Sequence, residues 1–87
     1  MARVKAYGGL CLKWVCPGWS GVPDRIILLP GALVSFVETK RPKGGLLSKL
    51  QLRWGRILKG LGFDVRVIWS IEDLANFERE VLGRSTK

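Results

Sequence analysis

The sequence contains no histidine and only two cysteines, Cys11 and Cys16, among its 87 residues. A zinc site built from histidine and cysteine ligands would therefore lack most of its donors. The two cysteines are an odd number of positions apart, so on a regular strand they point to opposite faces and cannot form a disulfide. We expect both to pack as small apolar side chains in a reducing compartment.

Long apolar runs are also absent, and the purely aliphatic stretches extend over only a few residues. A membrane-spanning helix needs about 20 apolar residues, so none is predicted, and the sequence shows no secretory signal peptide. We therefore expect an intracellular protein with no membrane partner. A chain of 87 residues is expected to form a single domain over residues 1–87.

Acidic side chains are scarce in the first 70 residues, which contain Asp24, Glu38 and Asp64 against twelve lysines and arginines. The whole chain has 15 basic and 7 acidic residues and a formal net charge of +8. A surface this basic favours a polyanion, either a nucleic acid or an anionic membrane. The alternative is a merely solubilising surface, but such surfaces usually mix charges of both signs.

The hydrophobic pattern predicts the order strand, strand, strand, helix, strand, helix. The strands are expected over residues 10–16, 24–29, 33–40 and 65–69, and the helices over residues 48–61 and 71–82. Residues 1–7 are compatible with the end of a further helix. Short connections make the first three strands an antiparallel meander, and a helical crossover returns the fourth strand to the same sheet. The predicted fold class is α/β, a small mixed β-sheet flanked by helices.

The second and third strands bring Asp24 and Glu38 together if their hairpin has an even register. A loop over residues 30–32 sets Asp24 opposite Glu38, whereas a two-residue turn would put them on opposite faces. Neighbouring carboxylates repel each other, and a protein keeps them mainly when a cation lies between them. Hard oxygen ligands favour Mg²⁺, with Mn²⁺ as a substitute. Lys40 shares a face with Glu38 and can act on a metal-bound water or on a phosphate.

A non-catalytic interpretation exists for each of these residues. Asp24 can be a turn residue after Pro23, and Glu38 with Lys40 can form a weak ion pair at a strand edge. The combination argues against this, because both acids adjoin apolar runs, where an unpaired charge is costly. We therefore predict that Asp24 and Glu38 bind a divalent cation and that Lys40 lies beside it, where it can orient a metal-bound water or stabilise a phosphate.

Three stretches together resemble the virus-type replication-repair nuclease (VRR-NUC) family of the PD-(D/E)xK superfamily: Gly21-Val22-Pro23-Asp24, Phe36-Val37-Glu38-Thr39-Lys40 and Ser48-x-x-Gln51. The similarity extends over residues 8–82. It implies a restriction-endonuclease-like core in which the metal ligands are the side chains of Asp24 and Glu38 and the backbone carbonyl of Thr39. It also implies that Lys40 and Gln51 are catalytic. The resemblance to stand-alone members of the family implies a homodimeric enzyme that cleaves branched DNA such as Holliday junctions. It also implies a cytoplasmic location in a bacterial or phage-infected cell.

The sequence departs from the family at its N terminus, where members usually carry a helix with a glutamate near the metals. No acidic residue precedes Asp24, and only about seven residues precede Gly8-Gly9. We therefore expect either that this helix is short or missing or that it lacks the acid, and we expect residues 83–87 to form a tail. The departure leaves a non-catalytic, basic DNA-binding module on the same fold as the first alternative. A basic RNA-binding or assembly protein is the second.

Seven residues are predicted to contact DNA along the basic surface: Lys13, Arg41, Lys43, Ser48, Lys49, Arg53 and Arg56. Any of the basic side chains can instead be solvated surface. Ser48 and Gln51 also have the spacing of a helix capping box, which needs no catalytic function, and both interpretations can hold. Trp19 can stack on a base, contact a second subunit or anchor its loop. Trp54 and Trp69 are expected in the core.

Overall fold

The structure, a computed structural model, describes residues 2–41 and 44–83, with side chains from residue 4 onward within those ranges. Its elements are helix α1 (Ala2–Ala6), strands β1 (Leu10–Lys13), β2 (Arg25–Leu29) and β3 (Leu33–Thr39), helix α2 (Lys49–Gly60), strand β4 (Asp64–Ile68) and helix α3 (Ile71–Glu80). The sheet order is β1-β2-β3-β4, with β1, β2 and β3 antiparallel and β4 parallel to β3. The predicted mixed sheet, meander and helical crossover are confirmed.

The observed strand boundaries differ from the predicted ones by one to three residues. β1 ends at Lys13 instead of residue 16, because the chain leaves the ladder before the Pro17 turn. One further bond is retained there, in which the Trp14 N–H donates to the Asp24 carbonyl at 2.9 Å. β4 begins at Asp64, whose carboxylate accepts a 2.6 Å hydrogen bond from the Ser35 hydroxyl. The side chain of Asp64, the third acidic residue of the first 70, is therefore hydrogen-bonded to a neighbouring strand of the sheet.

The β2–β3 hairpin has the even register that the sequence predicts. Arg25 pairs with Val37 and Leu29 with Leu33, which leaves residues 30–32 as the loop. Gly31 and Ala32 both adopt left-handed backbone conformations, with φ of 82° and 61°. The left-handed pair turns the chain in the sense that suits a twisted hairpin. Continued by one position, this register sets Asp24 opposite Glu38.

One face of the sheet, here called the core face, carries the hydrophobic core. Ile27 and Val37 are fully buried on this face and pack with Val4 of α1 and Phe77 of α3. The same cluster contains Leu29, Val81 and Leu82, with Tyr7, Cys11, Leu33, Ile68 and Leu74 packed against it. Helices α1 and α3 therefore cover the core face, and the apolar stripe of α3 forms much of the buried surface.

The opposite face, here called the site face, is covered by α2. Phe36 is buried there between Phe63, whose ring is edge-on at 5.2 Å, and Trp14, whose ring centroid is 5.1 Å away. Leu58 of α2 completes this smaller cluster. Because α2 contributes a single buried residue, its contact with the sheet is loose enough to leave an open pocket.

Three predictions about the core are wrong. Helical spacing predicts one apolar stripe on α2, formed by Leu50, Trp54, Ile57, Leu58 and Leu61. Of these, Leu58 is buried, whereas Leu50, Ile57 and Leu61 are exposed. Trp54 is only half-buried, and Trp69 is 36% exposed at the end of β4. The physical reason is that Leu50, Trp54 and Ile57 line a cleft with Trp19 of the loop before β2. This cleft is open, so the side chains of the stripe stay accessible to solvent.

The described part of the chain bears on two features that the sequence does not predict, a membrane-spanning helix and a disulfide. Within residues 2–41 and 44–83, no helix is long and apolar enough to cross a bilayer. Cys11 and Cys16 are both free thiols and both half-buried, in agreement with the prediction that they do not form a disulfide. The predicted tail over residues 83–87 falls outside the described residues, except for Gly83.

The loop before β2 approaches α2 closely at Gly21. Its φ is 88°, and a β-carbon there would lie 2.5 Å from Cβ of Leu50. Gly18 is equally left-handed, with φ of 84°, but a β-carbon there would meet nothing within 4 Å. We expect Gly21→Ala to lower the free energy of unfolding by about 3 kcal/mol and Gly18→Ala by about 1 kcal/mol, because only the first adds a clash to the backbone strain.

Denaturant unfolding followed by circular dichroism measures both variants. Gly18→Ala is the matched control, since it carries the same backbone strain without the contact. Equal losses of stability in the two variants would contradict the close approach of the loop to α2.

Candidate active site

The candidate site lies at the end of the sheet where β2 begins and β3 and β4 finish. Glu38 is on β3, which has β2 on one side and β4 on the other, and its side chain is on the site face. Asp24 immediately precedes β2, and Lys40 immediately follows β3. The Lys40 N–H donates to the Ile68 carbonyl of β4 at 2.9 Å, which fixes the chain just beyond the strand. The sheet thus gathers the three predicted residues at one end.

The Asp24 carboxylate is fixed to β3 by Thr39. Its Oδ1 accepts a hydrogen bond from the Thr39 N–H at 3.3 Å, and its Oδ2 accepts one from the Thr39 hydroxyl at 2.8 Å. This pair of bonds holds Asp24 beside the residue that follows Glu38. The resemblance implied only a metal-binding backbone carbonyl at Thr39. The side-chain contact that positions Asp24 was not predicted.

Glu38 is the buried charge of the site, with a relative exposure of 8%. Burial raises the pKa of Glu38 above its ordinary value, the negative charge of Asp24 raises it further, and the positive charge of Lys40 lowers it. None of the hydrogen bonds found among the described residues is donated to the Glu38 carboxylate. A buried carboxylate beside a second carboxylate is costly unless a cation is present.

The donor set fits Mg²⁺ or Mn²⁺ better than a softer metal. Asp24 and Glu38 offer hard carboxylate oxygens, and the described residues contain no group of three His, Cys, Asp or Glu side chains able to form a closed metal site. Mg²⁺ usually binds through one or two carboxylates and keeps several waters. Two carboxylates at an open pocket therefore suit an ion that keeps waters and binds a phosphate.

A pocket of about 260 Å³ opens between Glu38 and helix α2. Gln51, Arg56 and Lys59 line it from the helix, and Gly55 between them carries no side chain to fill it. Its remaining lining comes from Gly21, Pro23, Leu47, Leu52, Val65 and Val67. Arg56 was predicted to contact DNA, but Lys59 was not. Its position three residues after Arg56 was the available signal, since residues at that spacing share a helix face.

Ser48 and Gln51 form the capping box that their spacing predicts. The Ser48 hydroxyl accepts from the Gln51 N–H at 3.1 Å, and the Gln51 Oε1 accepts from the Ser48 N–H at 2.8 Å. Gln51 also lines the pocket with Glu38, so the cap and the site use the same side chain. With its oxygen engaged in the cap, the amide nitrogen is the group that can donate into the pocket.

The other residues predicted to contact DNA are not all brought to this pocket. Arg53 lines a separate cleft on the outer side of α2. Lys13 pairs with Arg25, and strand alternation puts it on the core face, opposite Glu38. Arg41 and Lys49 are exposed near the site, and Lys43 lies outside the described residues.

Trp19 anchors the loop before β2, which was one of its three predicted functions. Its ring meets Trp54 of α2 edge-on, with centroids 5.6 Å apart. The ring remains 61% exposed despite this contact. The loop that leads to Asp24 is therefore fastened to the helix that carries Gln51.

Known proteins with similar sequences and structures identify the family of this chain. No family model matches the chain. It is 41% identical over 76 residues to "Putative nuclease p44" of Acyrthosiphon pisum secondary endosymbiont phage 1, and the match covers 87% of this chain and 80% of that protein. A solved structure described as a VRR_NUC domain superposes with a TM-score of 0.85 at 30% identity, covering 92% of this chain and 86% of the other. The chain belongs to the VRR-NUC family.

This VRR-NUC chain keeps the short N-terminal helix but carries no acid on it. Helix α1 has five residues, Ala2–Ala6, and none is acidic. Val4 of α1 is fully buried in the core, on the face opposite Glu38. The helix therefore contributes to the stability of the domain.

The raised pKa of Glu38 predicts how the stability of the metal-free protein depends on pH. The folded chain binds a proton at Glu38 more tightly than the unfolded chain, so this group lowers stability as pH rises from about 4.5 through the raised folded value. We expect Glu38→Gln to raise the free energy of unfolding at neutral pH in chelator and to flatten this dependence. Denaturant unfolding over a pH series measures both effects.

The exposed Glu72 in the first turn of α3 supplies the matched control. Glu72→Gln removes a favourable charge from a helix N-terminus, so it should not stabilise the protein. If Glu38→Gln were as destabilising as Glu72→Gln, the carboxylate of Glu38 would not be an unfavourable buried charge.

Proposed function

We propose that this chain is a Mg²⁺-dependent DNA endonuclease that hydrolyses phosphodiester bonds, with Asp24, Glu38, Lys40 and Gln51 as catalytic residues. The observation that carries the proposal is the Glu38 carboxylate, buried beside the charge of Asp24 and open to a pocket lined by cationic side chains. The names of the phage relative and of the VRR_NUC domain support a nuclease.

The site residues divide the chemistry between them. Asp24 and Glu38 would hold the ion together with the Thr39 carbonyl, and Mn²⁺ would substitute. When bound, Mg²⁺ supplies a water of lowered pKa and neutralises charge on the phosphate. The Lys40 ammonium orients that water or stabilises the negative charge that grows on the phosphate oxygens. The Gln51 amide nitrogen donates a hydrogen bond to the water or to a phosphate oxygen.

The distribution of charge favours DNA on the side of α2. Arg56 and Lys59 line the pocket beside Glu38, and Arg41 and Lys49 are exposed around it. The four acids of the last segment, Glu72, Asp73, Glu78 and Glu80, all belong to α3, which packs on the core face. A polyanion is therefore attracted to the site face and repelled from the opposite side.

We further propose that the substrate is branched DNA, such as a Holliday junction, and that the chain acts as a homodimer. A two-fold dimer presents two sites and suits paired incisions. Exposed leucines on the site face of β1 and β2, namely Leu10, Leu12 and Leu28, offer an apolar surface that a second copy can cover.

A non-catalytic DNA-binding module is the second candidate function. The observation in its favour is the small number of acids: α1 has none, and the described residues contain no cluster of three potential metal ligands. Both candidates share the basic pocket, so DNA binding does not distinguish them. Cleavage in the presence of Mg²⁺ does.

The decisive experiment is a cleavage assay on plasmid and four-way junction DNA. Cleavage should occur with Mg²⁺ or Mn²⁺ and stop in chelator, and Ca²⁺ should support binding with little cleavage. Glu38→Gln, Asp24→Asn and Lys40→Ala should each lower the cleavage rate by about a thousandfold, because each removes a group that stabilises the transition state. Glu80→Gln, at the C-terminal end of α3 and away from the site, should cleave normally. Undiminished cutting in chelator would overturn the proposal.

The dependence of DNA affinity on salt tests the basic pocket separately from catalysis. Each phosphate contact contributes about 0.9 to the slope of log affinity against log salt on duplex DNA. Arg56→Ala and Arg53→Ala should each reduce the slope by about this amount, as measured by fluorescence anisotropy. The control is Arg79→Ala, since Arg79 is an exposed arginine near the end of α3. An equal reduction in Arg79→Ala would show that net charge alone, and no particular face, determines binding.

A further inference from the structure

A shallow, largely apolar cleft of about 320 Å³ lies beside Lys40, where β3 and β4 end and α3 begins. We call it the terminal shelf, and its residues are Thr39, Lys40, Ile68, Trp69, Ser70, Ile71 and Leu74. Ile71 is 87% exposed and Trp69 is 36% exposed. Large apolar side chains displayed together beside a charged site are unusual on a surface and mark a place where something binds.

The tryptophan of the terminal shelf is held rigidly. Its indole Nε1–H donates to the Gly45 carbonyl at 3.1 Å, and its backbone N–H donates to the Asp73 carboxylate at 3.0 Å. Asp73 is itself fixed, since its N–H donates to the Ser70 hydroxyl at 3.2 Å. The partly exposed ring is therefore already ordered, and little conformational freedom is lost when a planar group stacks on it.

The terminal shelf is continuous with the candidate active site. Thr39 lines the shelf and also donates both hydrogen bonds that hold Asp24. Lys40 lines the shelf two residues after Glu38, which is roughly 7 Å along a strand. A DNA strand with its phosphate at Glu38 would therefore have a neighbouring nucleotide at the shelf.

The chemistry of the shelf selects the base and not the phosphate. Glu72 and Asp73 stand in the first turn of α3, beside the shelf, and their charges repel a phosphate. Lys40 lies at the edge of the shelf that adjoins the candidate active site, where a phosphate is expected. The apolar part of the lining, Ile68, Trp69, Ile71 and Leu74, suits an uncharged, planar group. Bases stack on tryptophan with little dependence on sequence, because every base has a π-face.

We propose that the terminal shelf binds an unpaired nucleobase of the strand that crosses the Asp24–Glu38 site, by stacking on Trp69 with Ile71 at its edge. The inference rests on the proposed function, and it narrows the substrate to DNA with unpaired nucleotides next to the cut. A base inside an intact duplex is already stacked on both sides and cannot reach the shelf. The shelf thus favours a fork, or a junction whose bases open at the crossover, over intact duplex DNA.

Binding measured in chelator tests this inference without cleavage. The probes are a fully paired duplex and a fork in which the same sequence has unpaired ends. Trp69→Leu should weaken binding to the fork by about tenfold, and Ile71→Ser should weaken it by a smaller factor. Both variants should keep the affinity of the wild type for the duplex. Trp69→Phe keeps an aromatic ring and should bind the fork like the wild type.

Two further controls separate stacking from altered folding or general apolar contact. Leu61→Ser changes an exposed apolar residue that caps the C-terminal end of α2, away from the shelf, and should not affect either probe. Replacing the unpaired nucleotides of the fork one at a time by abasic residues should weaken wild-type binding at one position. The same replacement should have no effect in Trp69→Leu, because the contact is already lost.

The outcomes also distinguish this inference from the proposed function. Equal losses on fork and duplex, or an abasic effect that persists in Trp69→Leu, would overturn base binding at the shelf. If those results came with Mg²⁺-dependent cleavage by the wild type, the nuclease would stand and the shelf would not. Failure of the wild type to bind any DNA would overturn both.

Discussion

The register of the β2–β3 hairpin is the constraint on which the arrangement of this molecule depends. Side chains alternate along a strand, so a slip of one residue would move every side chain of β3 to the opposite face. The loop over residues 30–32 prevents the slip, with Gly31 and Ala32 both left-handed. Ala32 carries the strain of that conformation. The same register that buries Ile27 and Val37 on the core face puts Glu38 on the site face.

At Glu38, the function proposed for this chain conflicts with the stability of the sheet. Its neighbours along β3 are Val37, which is fully buried, and Thr39, which is exposed. An apolar residue at position 38 would fill the pocket under α2 and stabilise a domain this small. A buried carboxylate with a raised pKa is the less stable choice, and such choices concentrate at functional sites.

The sequence predicted the parts of the structure that depend on local pattern. Alternation along β3, the three-residue loop and the Ser48 capping box each follow from neighbouring residues, and the structure agrees with each. The exposure of Leu50 and Leu61 and the incomplete burial of Trp54 could not be predicted. Helical spacing shows which residues share a face but not what that face meets. The Thr39 hydroxyl bond to Asp24 was likewise unpredictable, since it joins residues 15 positions apart across the sheet.

The two faces of the sheet differ in how much apolar surface they bury. All the residues of the main core, from Val4 to Leu82, pack on the core face with α1 and α3. The site face carries a smaller aromatic cluster around Phe36 and leaves the remainder as pocket. Because the buried apolar surface is concentrated on the first face, the second can carry a buried acid and uncovered cations without unfolding the chain. The acids of α3 lie on the stabilising side, so the charge separation along the sequence becomes a separation across the sheet.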